Sequence, residues 1–275
     1  MRKCEKIFTR ALRSTALAGA AALIATGCWN QPFDMAVSYQ AVERYDTGSA
    51  ASIAHVDFSH PIEGQESLFV PDPGPGETEV YHYPFGLSVE IDGMDAGESV
   101  MLECGNNPIL LERGDWLSYS SGNMAFEDFS FGAPLSIRVK GGLDIQPFSE
   151  EAFLFTPEPM TGVIPDLSGS AADPLPIPMT EDFTISWDPD GADRFVIYIM
   201  TEDNPGNYLE LLRHGANDET GLATIPAFYL QELTPGATAK ITIARKNVGI
   251  PFDLPNGGIG ESESVVAVRG VGLIE

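Results

Sequence analysis

With 275 residues, 43% of them hydrophobic, and a mean hydropathy of -0.02, the chain has enough apolar sequence for one or two globular domains and too little for a multispan membrane protein. Fifteen Lys and Arg stand against 40 Asp and Glu, giving a net charge of -25 and a pI near 4.3. Such a field repels phosphate backbones and excludes nucleic acid as a partner.

The chain opens with Arg2, Lys3, Lys6, Arg10 and Arg13, a basic region followed by an uncharged stretch from Ser14 to Gly27 that is short for a membrane span. This pattern predicts an export signal. Its end, Leu23-Ile24-Ala25-Thr26-Gly27-Cys28, resembles the lipobox of bacterial lipoproteins, in which small residues precede a cysteine that becomes the acylated N-terminus. The resemblance implies a signal peptide over 1–27, lipidation of Cys28, and a membrane partner reached through that anchor. No Asp follows Cys28, which by the same resemblance implies the outer membrane of a Gram-negative envelope. Cleavage after Ala20-Ala21-Ala22, leaving Cys28 free, stays open as the alternative. Loss of 1–27 leaves 10 basic against 39 acidic residues, a charge of -29. If Cys28 is acylated, Cys104 has no intramolecular disulfide partner in the mature chain.

After a tether over 28–36, a first block over 37–155 reads as a β-sandwich. Val37 to Tyr45 and Ser52 to Phe58 predict strands. Leu87, Val89 and Ile91 alternate with Ser88 and Glu90, and Leu135, Ile137 and Val139 alternate with Ser136 and Arg138, the period of half-buried strands. Cys104 shares a strand face with Val100 and Leu102 and reads as a small buried hydrophobe. Pro71 to Gly76 predicts a mobile loop, and Phe129 and Phe131 share a strand face. With Trp29, Trp116, Tyr119 and Phe126, these two aromatics are either core or a binding patch.

Six prolines between Thr156 and Pro178 predict an extended linker over 156–178 and a second sandwich over 179–275. There Phe183, Ile185 and Trp187 alternate with Thr184 and Ser186, and Asp188-Pro189-Asp190-Gly191 predicts a hairpin turn into an apolar strand over 195–200. Asn207 to His214 reads as a strand or a helical turn, and Pro226 to Leu233 as a short helix or corner. Ala239, Ile241 and Ile243 predict another strand, and Val265 to Val268 a last one. Trp187, Tyr198, Leu233-Thr234-Pro235-Gly236 and the valine-rich C-terminus together resemble a fibronectin type III domain, with Ala239 where that family has its corner tyrosine. The expected fold is all-β, two antiparallel sandwiches behind a lipoprotein signal peptide.

Chemistry-bearing motifs are sparse. Gly258-Ile259-Gly260 and Gly270-Val271-Gly272 lack the third glycine and helix of a dinucleotide fingerprint, and no Walker lysine is present, which argues against nucleotide binding. Neither a Gly-x-Ser-x-Gly elbow nor a His-Glu-x-x-His run occurs. His55, Asp57 and His60, with His82 as a further donor, form the densest group of zinc-type ligands. Asp188, Asp190 and Asp193 place three carboxylates on one turn, the oxygen ligands calcium prefers, outside the spacing of an EF-hand. The expectation is no enzymatic activity and no cofactor, with calcium the one candidate ion. The chain then reads as a non-catalytic, lipid-anchored binding module for a protein or glycan; the alternative is a secreted hydrolase acting on carbohydrate or peptide with a spatially assembled carboxylate or His site.

Overall fold

The computed structural model describes residues 32–45, 48–60, 69–83, 93–114, 117–168, 172–255 and 257–275. The protein is all-β. The first block contributes β1 (Asp34–Arg44), β2 (Ser49–Ser59), β3 (Thr78–His82), β4 (Ser99–Cys104), β5 (Asn107–Arg113), β6 (Tyr119–Ser120), β7 (Met124–Ala125), β8 (Pro134–Val139) and β9 (Phe148–Phe155). The second contributes β10 (Leu175–Ile177), β11 (Phe183–Ser186), β12 (Arg194–Asn204), β13 (Asn207–Ala216), β14 (Leu222–Ile225), a one-turn helix α1 (Ala227–Leu230), β15 (Thr238–Val248), β16 (Phe252–Asp253) and β17 (Ile259–Ile274).

Period-two patterning builds the first core. Met35, Val37, Tyr39 and Ala41 of β1 point inward with Ala54, Val56 and Phe58 of β2, Val100, Leu102 and Cys104 of β4, and Leu135, Ile137 and Val139 of β8. Each such side chain removed from water stabilises the fold by about 1.5–3 kcal/mol if large and aliphatic or aromatic. Cys104 is fully buried, as its strand face predicts; its thiol donates to Ser130 O at 3.5 Å, and burial raises its pKa. Phe129 is also core, stacked on Tyr39 at 4.4 Å, and reaches that position from a 3-10 turn (Phe126–Asp128) rather than from a strand. The predicted strand around Leu87, Val89 and Ile91 lies outside the described residues, as does Trp116.

The two blocks share one sheet, ordered β3-β13-β12-β15-β17-β1-β2-β6-β5-β4-β8-β9. At one end, β9 comes back beside β15 and β17, where Asn247 Nδ2 and Ser264 Oγ both donate to Phe155 O, at 3.0 and 2.9 Å, and the sheet curls around the first core. At the other end the sheet forms one layer of a sandwich whose second layer is the β11–β14 pair. Phe195, Ile197, Ile199, Ile241, Ile243 and Val268 face Phe183, Ile185, Trp187 and Ile225 across it.

Several local expectations differ from this topology. Phe183 to Ser186 does not form a hairpin with the strand after it: β11 pairs with β14, Phe183 opposite Ile225, and the Asp188 to Gly191 turn carries the chain from one layer to the other. Pairing is not wholly antiparallel, since β1 runs parallel to β17 with Met35 opposite Gly260 and Arg44 opposite Arg269, and β10 is also parallel to β17. The proline-rich connection is packed against the second block: it contains β10, buries Leu167 in the second core, and pairs Ile164 with Ser186. Pro71 to Gly76 is pinned, not mobile. Pro75 bridges Gly215, and Gly76 N donates to Gly215 O at 2.8 Å. Composition correctly marks a loop there, but its anchors lie some 140 residues away in sequence. The segment after Asn207 is the strand β13, and Ala227–Leu230 is the helical corner.

Candidate binding groove on the shared sheet

The long strand β17 uses both faces. Its even-numbered residues Val266, Val268 and Ile274 enter the two cores, while Glu263, Val265, Ala267 and Arg269 face outward. On that outer side Ala244, Val265 and Ala267 make a small apolar floor, buried because longer neighbours on β1, β12, β13 and β15 stand around it. The result is a groove of about 310 Å³ walled by Gln40, Tyr198, Lys240, Lys246, Glu263 and Arg269. A second depression of about 240 Å³ continues it toward Phe69, Asp72 and Arg213.

In a chain so poor in cations, Arg194, Arg213, Lys240, Lys246 and Arg269, a third of all its Lys and Arg, gather on or beside this face. Asp72, delivered by the pinned loop, organises one end. Its carboxylate lies 2.9 Å from Lys246 Nζ, 3.2 Å from Arg213 Nη2 and 3.9 Å from Arg194 Nη1, and accepts from Tyr198 Oη at 2.9 Å. Burial pushes the Asp72 carboxyl up, but Lys246, Tyr198 and Arg213 outweigh it and hold it below the usual carboxylate range. Burial pushes Lys246 down, and the negative partners around it, with Glu263 at 3.6 Å, outweigh that and keep it charged. Its ammonium also lies 5.8 Å from the centre of the Tyr198 ring. Farther along, Lys240 pairs with Glu202, and Arg269 Nε donates to Thr242 Oγ1 at 3.0 Å. Sequence reasoning missed this site, because its residues alternate with apolar ones on strands brought together only by the sheet.

The residues singled out from sequence take other places. His55 on β2 meets Asp57 at 3.0 Å, and this hydrogen bond raises the His55 pKa against the opposing effect of burial. His82 sits on edge strand β3, with β13, β12, β15, β17 and β1 between it and β2. Asp188 accepts from Thr161 Oγ1 at 3.0 Å, Asp193 accepts from Val248 N at 2.8 Å, and Asp190 gives its backbone N–H to Asp218 at 3.1 Å. Among the described residues no three His, Cys, Asp or Glu side chains are grouped as a metal site. Asp218, unremarkable in sequence, is the acid that holds this turn. Fully buried, it accepts from Trp187 Nε1 at 2.8 Å, Arg245 Nε at 3.1 Å and Ala192 N at 3.0 Å as well as from Asp190. Arg245 in turn donates to the carbonyls of Pro159 and Asp188. Cys28 lies outside the described residues, and among the described ones no helix is long and apolar enough to cross a membrane.

No family model and no curated protein matches the chain. A solved structure titled "Yeast delta-COP-I mu-homology domain complexed with Dsl1 WxWxV peptide" aligns over 89% of this chain and 98% of its own at 8% identity, with a TM-score of 0.18, a similarity too low to carry an argument.

Proposed function

We propose that the protein is a non-catalytic module, anchored to the cell envelope by acylated Cys28, that binds an acidic glycan in the groove of its shared sheet. The observation that carries the reading is the concentration of Lys240, Lys246 and Arg269, with Gln40 and Thr242 as further donors, around an apolar floor in a chain of net charge -25. Ammonium and guanidinium groups at a groove are placed to meet carboxylates, and Arg269 does so with a planar fork. The groove and its continuation are lined by two carboxylates, Glu263 and Asp72, and both are ion-paired with Lys246, which favours binding over a paired-carboxylate hydrolase. Support for a fibronectin type III-like second domain comes from the β11–β14 pair packed on the β13-β12-β15-β17 sheet and from Trp187 closing β11.

Two measurements test this. Cys28→Ser should move the protein from membrane to soluble fractions, and unchanged membrane retention would sink the anchor. Calorimetric titration with polygalacturonate as the acidic probe and dextran as the neutral one should give binding to the first only. Lys240→Glu with Arg269→Glu should weaken it at least about tenfold, as reversal of two charges at such a contact does. Equal affinity for both polymers, or none lost in the variant, would refute the groove.

A further inference from the structure

The segment that meets the start of the described chain is poor in charge. Residues 248–259, which join β15 to β17, run Val-Gly-Ile-Pro-Phe-Asp-Leu-Pro-Asn-Gly-Gly-Ile and carry one ionisable group, Asp253, in a protein with 40 acidic residues. Ile250 is 84% exposed and Ile259 50% exposed. The neighbouring loop between β8 and β9, which leads into Phe148 of β9, packed on Phe33 at 6.0 Å, adds Leu143 at 76%. Three large aliphatic side chains are thus left in water at one end, two of them, Ile250 and Leu143, more exposed than Ile164, Leu222, Leu110 or Ile53, which stand singly on other elements.

The start of β1 is fastened to this same end. Phe33, fully buried, donates its N–H to Gly257 O at 3.2 Å, and Asp34 accepts from Ile259 N at 2.9 Å. Gly258, at φ +116°, permits the close approach, since a Cβ there would stand 1.9 Å from Phe33 O. Four residues lie between Cys28 and Phe33, five Cα steps with a reach of at most about 18 Å for extended chain. An acylated Cys28 therefore holds this end at the bilayer surface, whereas the opposite end of the 16-residue β17 stands about 50 Å away at ~3.3 Å per residue.

We infer that Leu143, Ile250 and Ile259 form a membrane-contact tip that enters the interfacial layer of the bilayer and orients the groove above it. This rests on the anchor reading for its biological setting, but the tip's affinity for lipid does not. The partner chemistry is a lipid surface of neutral or zwitterionic headgroups, because an anionic leaflet repels a protein of this charge, and the tip offers no cationic cluster to offset that.

The test uses the chain from residue 28 onward, which retains every described element, with Cys28→Ser so that no acyl chain contributes. Sedimentation with phosphatidylcholine vesicles at millimolar lipid should carry down a measurable fraction of this protein. Leu143→Ser, Ile250→Ser and Ile259→Ser together should lower its partition coefficient by about tenfold or more, given the loss of all three apolar side chains. Phe228→Ser, an exposed apolar position near the far end of β17, should leave it unchanged. Replacing a fifth of the phosphatidylcholine with phosphatidylglycerol should weaken binding. No vesicle binding, or binding indifferent to the three serines, would overturn the tip, and so would a lipid-free dimer that the serines dissociate. None of these outcomes bears on the anchor, which is read separately from fractionation of the wild-type and Cys28→Ser chains in cells. The substituted side chains are exposed, and an unchanged unfolding temperature would confirm that folding is not at issue.

Discussion

Replacing Asp218 with Ala removes one acceptor that serves four donors: Trp187 Nε1, Arg245 Nε and the backbone N–H groups of Asp190 and Ala192. Both charged partners are buried, Asp218 fully and Arg245 to 1% exposure, so water cannot replace what is lost. Removing one partner of a buried pair costs about 3–5 kcal/mol, because the surviving charge is left uncompensated. The remaining bonds of Arg245 to the Pro159 and Asp188 carbonyls soften this, while the orphaned indole and amides add to it at about 1–3 kcal/mol each when fully desolvated. We expect a net loss of about 4 kcal/mol, which at ~2–4 °C per kcal/mol for a chain of this size lowers the unfolding temperature by about 8–16 °C. The double variant Asp218→Ala, Arg245→Met removes the stranded charge together with its partner, and should cost less than the single one. Urea unfolding followed by far-ultraviolet circular dichroism measures both. A single-variant loss under about 1 kcal/mol, or a double variant as damaged as the sum of the two singles, would refute the assignment of this pair as the anchor of the turn.

Two histidines predict opposite pH dependences. His214 is buried, 2.7 Å from Thr78 Oγ1 across the β3–β13 pair, and burial lowers its pKa. Its contribution is complete above the unfolded value of about 6.5 and is lost as pH falls through the lowered folded value. His55, raised by its bond to Asp57, contributes fully below about 6.5 and loses that contribution as pH rises through the raised value. His214→Gln should therefore flatten the acid side of a plot of urea midpoint against pH and His55→Gln the alkaline side; slopes identical to wild type in both variants would reject the scheme. Calcium should raise the unfolding temperature of wild type and of the Asp188→Asn, Asp190→Asn, Asp193→Asn variant equally, through general screening of negative charge, and a larger rise in wild type would restore the turn as a calcium site.

The groove shows why a site of this kind resists reading from sequence. Lys240, Thr242, Ala244 and Lys246 are visible as alternate positions of a strand, and the inward partners Ala239, Ile241 and Ile243 predict that these face outward. Nothing in that alternation says that Arg269 and Glu263 lie on the adjacent strand, that Gln40 comes from the other block, or that Asp72 crosses 174 residues of sequence to meet Lys246. Likewise the carboxylates of Asp188 and Asp193 look like a cluster in sequence, yet they turn to Thr161 and Val248, partners supplied by distant segments.

The all-β class, the faces of most strands and the burial of Cys104 are legible in the order of residues, because side-chain alternation is a local property that hydrophobic burial reads directly. Which strands pair is settled by the folded chain alone. The β11–β14 pairing, the parallel union of β1 with β17 and the docking of β3 on β13 all rest on backbone hydrogen bonds that every residue but proline can make. Their choice depends on how two cores close together, and with it the position of every polar side chain that the shared sheet gathers on its outer face.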